Sequence, residues 1–230
     1  MKQILTKTLI LIIFSPLFFV ACDKDQSYLV NFRRNDPRIT IEDFSTNKPG
    51  LLPIGWESQD PLGKKIYSVK EENGNVYLHA YDTGDSVLLL KKVSWDVNAY
   101  PKLNWRWMVN ILPKGANERH GATNDSAAAV YVLFKNSWYI PIPKYIKYVW
   151  SSTLPAGEAF LYKLFRGVIV LESGSEKLDQ WVTQSVDVAA DYRKIYGGQP
   201  SRIIGIGILT DANATHSTAE ACYDDFEIVK

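Results

Sequence analysis

Leu103-Asn104-Trp105-Arg106-Trp107-Met108-Val109-Asn110 carries its large apolar side chains on every second position, with Asn104, Arg106, Met108 and Asn110 between them. A period of two belongs to a β-strand, whose successive side chains point to opposite faces; a helix returns its apolar residues every three or four positions. The segment reads as a strand that buries Leu103, Trp105, Trp107 and Val109 against a second layer. Outward from it, short runs rich in Val, Ile, Tyr, Trp and Phe recur between turn residues. Strands are expected over 39–44, 65–71, 76–81, 86–92, 103–109, 127–134, 145–151, 165–172, 181–188, 203–209 and 222–229. Asn73-Gly74 and Thr83-Gly84-Asp85 supply residues that tolerate positive φ, as hairpin turns require. Only 189–196 suggests a helical period, for a turn or two. A parallel α/β fold needs a helix after most strands and they are missing. The expectation is an all-β, two-sheet antiparallel β-sandwich of jelly-roll type. Two long connections, 112–126 and 151–164, fall where such scaffolds carry function.

The chain of 230 residues is 46% hydrophobic and 22% charged, which suits a sizeable core and argues against disorder. Its 26 basic and 25 acidic residues leave a formal charge of +1, so no nucleic-acid footprint is expected. Two cysteines and the scattered His79, His120 and His216 are too few for a Cys/His zinc cluster. No nucleophile elbow, phosphate-binding loop, dinucleotide glycine pattern or His-Glu-x-x-His occurs. The surplus is aromatic, with seven Trp, thirteen Tyr and nine Phe.

At the N-terminus, Lys2 and Lys7 accompany an apolar run from 9 to 20, broken only by Ser15 and Pro16. That is the layout of a secretory signal, too short for a comfortable membrane span. The run ends Phe19-Val20-Ala21-Cys22, which resembles the lipobox of bacterial lipoproteins; Ala21 fits the small residue before the cut, and Phe19 replaces the usual leucine. The resemblance implies cleavage before Cys22, a diacylglyceryl group on its thiol and an acylated new amino group. Two or three chains anchor a protein stably where one binds marginally. Asp23 resembles the inner-membrane retention signal of enteric-type bacteria. The expected organisation is a signal peptide over 1–21, lipidated Cys22 and a tether over 22–37, and one sandwich domain over 38–230, at the periplasmic side of the cell envelope. Without Lys2 and Lys7 the mature chain has 24 basic against 25 acidic residues. With Cys22 acylated, Cys222 has no disulfide partner and reads as a small buried hydrophobe.

Several short motifs occur in a recognisable order. They are Trp105-Arg106-Trp107, Leu112-Pro113-Lys114-Gly115-Ala116, Asp125-Ser126-Ala127-Ala128-Ala129, Tyr148-Val149-Trp150, Val170-Leu171-Glu172-Ser173-Gly174, Asp191-Tyr192-Arg193, Gly205-Ile206-Gly207-Ile208-Leu209-Thr210-Asp211 and Ala221-Cys222-Tyr223-Asp224-Asp225-Phe226. Together they resemble the bacterial family catalogued as domain of unknown function 3047, from roughly Phe44 to the C-terminus. The family commonly carries arginine where Ala129 stands, so any role of that arginine is absent here. The resemblance implies a fold and no chemistry. A further likeness is to galactose-binding-like sandwiches and carbohydrate-binding modules. These tend to open with an acidic-aromatic strand, here Glu42-Asp43-Phe44, and to close with one, here Asp224-Asp225-Phe226-Glu227.

Candidate site residues follow from strand ends and ring clusters. Asp125, Glu172, Asp211, Asp224 and Asp225 lie at or near expected strand ends. Trp138, Tyr139, Tyr145, Tyr148 and Trp150 surround Ile140-Pro141-Ile142-Pro143-Lys144, and flat rings with polar tips suit sugar stacking. The expected ligand-binding set is Asp125, Trp138, Tyr148, Trp150, Arg166, Glu172, Asp211 and Asp224. If first and last strands are neighbours, Glu42, Asp43, Asp224 and Asp225 could share a structural calcium ion. Gly205 and Gly207 alternate on one strand, which suits either a ligand approaching closely or tight packing against a bulky neighbour such as Trp105. Three functions stay open: a lipid-anchored, non-catalytic module binding a saccharide or similar envelope ligand; an interaction subunit of an envelope protein complex; and a hydrolase using Glu172 and Asp211, with Arg106 or Arg166 orienting the substrate.

Overall fold

The computed structural model describes residues 36–58 and 60–230. The expected signal, the lipidation position Cys22 and almost all of the tether lie outside the described residues. Thirteen strands are described: β1 (Arg38–Glu42), β2 (Trp56–Ser58), β3 (Tyr67–Glu72), β4 (Asn75–Asp82), β5 (Leu89–Lys91), β6 (Lys102–Ile111), β7 (Ser126–Phe134), β8 (Lys144–Ser151), β9 (Ala159–Lys163), β10 (Arg166–Ser173), β11 (Val182–Asp187), β12 (Ile203–Asp211) and β13 (Ala219–Val229). Two helices join them, α1 (Gly63–Ile66) and α2 (Val188–Tyr196). The strands form two sheets, so the two-sheet β-sandwich is the fold. One sheet runs β11-β6-β13-β4-β3, with β1 also on β13; the other runs β2-β5-β12-β7-β8-β10-β9.

The decisive strand behaves as its alternation demands: Leu103, Trp105, Trp107 and Val109 of β6 are buried between the sheets. Their partners come from β8, where Ile146, Tyr148 and Trp150 face inward. Trp105 lies 5.7 Å from Tyr148 and Trp107 lies 6.1 Å from Trp150, ring to ring. Most of the aromatic surplus is thus core. The β3–β4 hairpin closes through Asn73-Gly74, both at positive φ, with Glu72 facing Asn75. β13 keeps β6 along one edge, while its other edge is taken by β4 near its start and by β1 near its end. First and last strands are therefore neighbours.

Three features depart from the sequence expectation. β2 and β9 are short edge strands, and β9 occupies part of the expected 151–164 loop. β10 pairs with β8 in parallel, because the chain crosses to the outer edge as β9 before turning back. The face of β7 turned away from the main core is also buried: Ala129, Tyr131 and Leu133 pack with Val149, Val168, Val170 and Leu209 under Leu154, Phe160 and Tyr162. Both faces of β7 are covered, which accounts for its uninterrupted apolar sequence.

Candidate functional site

Two polar centres lie in this framework, one sealed and one open. The sealed centre is at the end of the sandwich where β12 finishes and β7 begins. Ser126 is its hub: the backbone N–H donates to Asp211 Oδ1 at 2.9 Å, the hydroxyl donates to Glu118 Oε1 at 3.0 Å, and Lys147 Nζ donates to that hydroxyl at 2.8 Å. Ser151 Oγ donates to the other oxygen of Glu118 at 2.6 Å. Asp125 accepts from Ala214 N, Thr215 N and Thr215 Oγ1, and Asp82 from Ala212 N and Asp85 N. Burial pushes the Asp211 carboxyl up to about 7; Lys147 opposes the shift, while Asp125 and Asp82 add to it. Glu118, Asp125, Ser126 and Ser151 are fully buried, so this centre fastens the surrounding loops to the sheet and presents nothing to a ligand. Asp125 and Asp211 do come together, as fasteners.

The other expected site residues are dispersed. Tyr148 and Trp150 are fully buried in the core, whereas Trp138 stands 92% exposed. The single ring surface expected from 138 to 150 is therefore corrected: strict alternation in β8 turns Tyr148 and Trp150 inward. Arg166, on β10, is the register partner of Tyr145 on β8 in the same sheet. Glu172 accepts from Lys177 Nζ at 2.7 Å and Gln184 Nε2 at 3.0 Å. Its strand lies three places from that of Asp211 in the sheet, and the two carboxyls have separate partners, Lys177 and Gln184 for the one and Ser126 for the other. The structure does not bring that pair together in one pocket. The four carboxylates of the calcium expectation already have partners within the protein. Glu42 is saturated by Phe44 N, Asn47 Nδ2, Trp56 Nε1 and the Lys91 ammonium, Asp43 holds Ser45, and Arg106 occupies Asp224 and Asp225. Among the described residues no three metal-ligating groups are arranged around an ion position. The strand glycines serve packing: a Cβ on Gly205 would meet Lys91 O at 3.0 Å, and one on Gly207 the Leu88 side chain at 3.0 Å. Cys222 is buried, and burial pushes its thiol up to about 12, as suits a small core residue.

The open centre is a cleft of about 340 Å³ on the outer face of the β11-β6-β13-β4-β3 sheet. Arg106, on the polar face of β6, lies at its heart. Its Nη2 donates to Asn75 Oδ1 at 2.7 Å and Asp224 Oδ2 at 2.6 Å. Its Nε sits 2.7 Å from Asp225 Oδ2, an ion pair at an angle unsuited to a straight hydrogen bond. The guanidinium carbon lies 4.6 Å from the centre of the Trp181 ring, and Trp181 meets Tyr77 edge-on. A β-bulge between Asp224 and Glu227, with Asp225 at φ 55°, brings two consecutive aspartates to one arginine. Burial pushes Asp224 up to about 6, against its hydrogen bond to Arg106 and with help from Asp225. Asn104 donates to Glu227 at 2.9 Å, but its Oδ1 is buried without a hydrogen-bond partner. Of this site the sequence expectation had singled out Asp224, Asp225 and Arg106. It missed Asn75, Asn104 and Trp181; for Asn104 the signal was its place on the polar face of the 103–109 alternation.

Residues 55–227, from one residue before β2 almost to the end of β13, match a single family. The chain belongs to that family, described as Protein of unknown function (DUF3047). The DUF3047 region contains Arg106, Asn104, Trp181 and both aspartates, while Arg38, Thr40 and Asp43 on the cleft rim precede it. No curated protein matches the sequence. Solved structures with a similar strand arrangement include the family 11 carbohydrate-binding module of the cellulosomal cellulase Lic26A-Cel5E of Clostridium thermocellum, at 10% identity, TM-score 0.45 and coverage of 84% of this chain and 94% of that one. The family 30 module of cellulosomal cellulase Cel9D-Cel44B of the same organism matches at 10% identity and TM-score 0.45, over 84% and 97%. The xylan-binding module CBM15 matches at 14% identity and TM-score 0.36, over 84% and 96%.

Proposed function

We propose that this chain is a lipid-anchored, non-catalytic binding module of the bacterial envelope, holding a saccharide or similar polyhydroxylated ligand in the Arg106 cleft. The observation that carries this reading is the unpartnered Asn104 Oδ1 beside a guanidinium stacked on Trp181. A buried acceptor without a donor is costly, and a ligand hydroxyl would supply one. Planar polar groups next to an indole suit a ring that is polar at its edge and apolar on its face. Asp225, on the cleft lining, offers a further acceptor and is already held in place by Arg106.

A glycan array combined with pull-down from envelope fractions tests the reading; folded protein that binds in neither removes it. On a bound glycan, Arg106→Ala is expected to weaken affinity about 10- to 100-fold, the worth of one charge-assisted hydrogen bond. Arg106→Lys is expected to recover little of this, because the planar fork is lost. Binding is expected to weaken as pH falls through about 6, where Asp224 takes up a proton and no longer pairs its charge with Arg106. Asp224→Asn should flatten that profile; an unchanged inflection would assign the titration to another group.

The anchor is the second part of the proposal, with Asp23 favouring the inner membrane. Cys22→Ser is expected to abolish acylation and normal maturation while leaving the sandwich folded, since Cys22 precedes β1 and supports no disulfide. Mass spectrometry of the mature N-terminus decides it: an unmodified Cys22, or a cut elsewhere, contradicts the anchor.

A further inference from the structure

The segment between β7 and β8, residues 135–143, carries the most exposed ring of the described residues: Trp138 is 92%, Tyr139 66% and Ile142 46% exposed. Leu164, in the β9–β10 turn, is 72% exposed and lies at the same end, because Phe165 O accepts from Tyr145 N and β10 runs parallel to β8. Neither the 135–143 segment nor Leu164 includes an acidic residue, and Lys135, Lys144 and Lys163 flank them. Arg202 is adjacent, its carbonyl accepting from Lys135 N, and α2 adds Arg193 and Lys194 against Asp187 and Asp191.

This end is also where the chain enters the fold. Arg38 pairs with Val229, Val229 with Lys102, and Lys102 with Asp187, the N-cap of α2. From there α2 reaches the other sheet: Tyr192 packs on Phe134 and accepts from Lys144 Nζ, and Tyr196 bonds Tyr145 O. Thirteen residues separate Cys22 from Asp36, which limits their span to roughly 45 Å.

We infer that the Trp138–Ile142 tip is a membrane-docking surface, which seats this end of the sandwich on the interface of an anionic bilayer. The inference rests on the lipid-anchor reading. Trp and Tyr rings with flanking lysines match the wet apolar zone of a bilayer and its negative surface. The anchor turns a contact too weak for free protein into an intramolecular one. Docking at this end directs the loops at 112–125 and 212–218 away from the membrane and leaves the Arg106 cleft on the side of the domain.

The test uses mature protein purified from the envelope and reconstituted into phosphatidylethanolamine/phosphatidylglycerol vesicles with brominated acyl chains. The other described tryptophans are buried or half-buried, so bromine contact reports on Trp138. The expected result is quenching of emission that is missing in Trp138→Phe, weakened by high salt, with an unchanged unfolding midpoint. Acylated protein that shows no Trp138-specific quenching overturns the docking surface and leaves the anchor standing. If Cys22 proves unmodified the anchor fails, and the docking surface, whose contact depends on it, fails with it. Cross-linking of the tip to an envelope protein with Trp138 shielded from bromine also overturns it.

Discussion

Replacing Lys147 by methionine is expected to lower the unfolding free energy by about 3–5 kcal/mol at pH 8, the usual cost of leaving buried charge without its counter-charge. Lys147 is buried, donates to Ser126 Oγ, and through that hydroxyl serves Glu118, itself fully buried with Ser126 and Ser151 as its donors. Methionine fills a similar volume, so the loss reports charge and hydrogen bonding and not a cavity. Urea denaturation at pH 8 measures it. A variant within about 1 kcal/mol of the parent would show that the sealed centre is not held by this cation. Combining Lys147→Met with Asp211→Asn should cost less than the sum of the two, because both act in one network.

The second large effect is a pH dependence carried by Asp211. An aspartate in the unfolded chain titrates near 3.9, whereas burial in the sealed centre pushes Asp211 up to about 7. Between these values the folded state keeps a proton that the unfolded state has released. Stability contributed by this group is therefore complete below about pH 4 and is lost as pH rises to about 7, by at most about 4 kcal/mol; above that both states are ionised. In Asp211→Asn the amide does not titrate, and its oxygen can still accept from Ser126 N. Relative to the parent, this variant should thus gain stability progressively from pH 4 to 7 and hold a constant difference above. Urea midpoints across that range test it, and parallel curves for the two proteins would place Asp211 in a wetter or better compensated site.

The two polar centres divide their acids by what they hold, since Asp224 is as buried as Asp211. Asp125 and Asp211 sit with Lys147 where the 112–125 and 212–218 loops close over the sheet end, and they hold those loops in place. Buried Asp224 and exposed Asp225 hold Arg106, which lines the open cleft. The family match covers both centres, and a ligand can reach only the second.

What the sequence determined is what the backbone decides locally. A period of two over 103–109 specifies a strand with one buried face whatever lies opposite, and Asn73-Gly74 specifies a tight hairpin because both residues accept positive φ. The same locality made a turn or two of helix over 189–196 legible, and the structure adds the Asp187 N-cap and Gly197 at its end. The tertiary structure decided which distant side chains meet. Tyr148 and Trp150 became core because β8 lies across from Trp105 and Trp107, a pairing set by sheet order. Asn75, Arg106, Trp181 and Asp224 became one site because β13 runs between β6 and β4 and bulges at Asp225. Glu42 and Asp224 took Lys91 and Arg106 as partners, which lie 49 and 118 positions away in the chain. Strand alternation is fixed by bond geometry within a few residues, whereas strand order and register depend on burial summed over the whole chain, which no local pattern records.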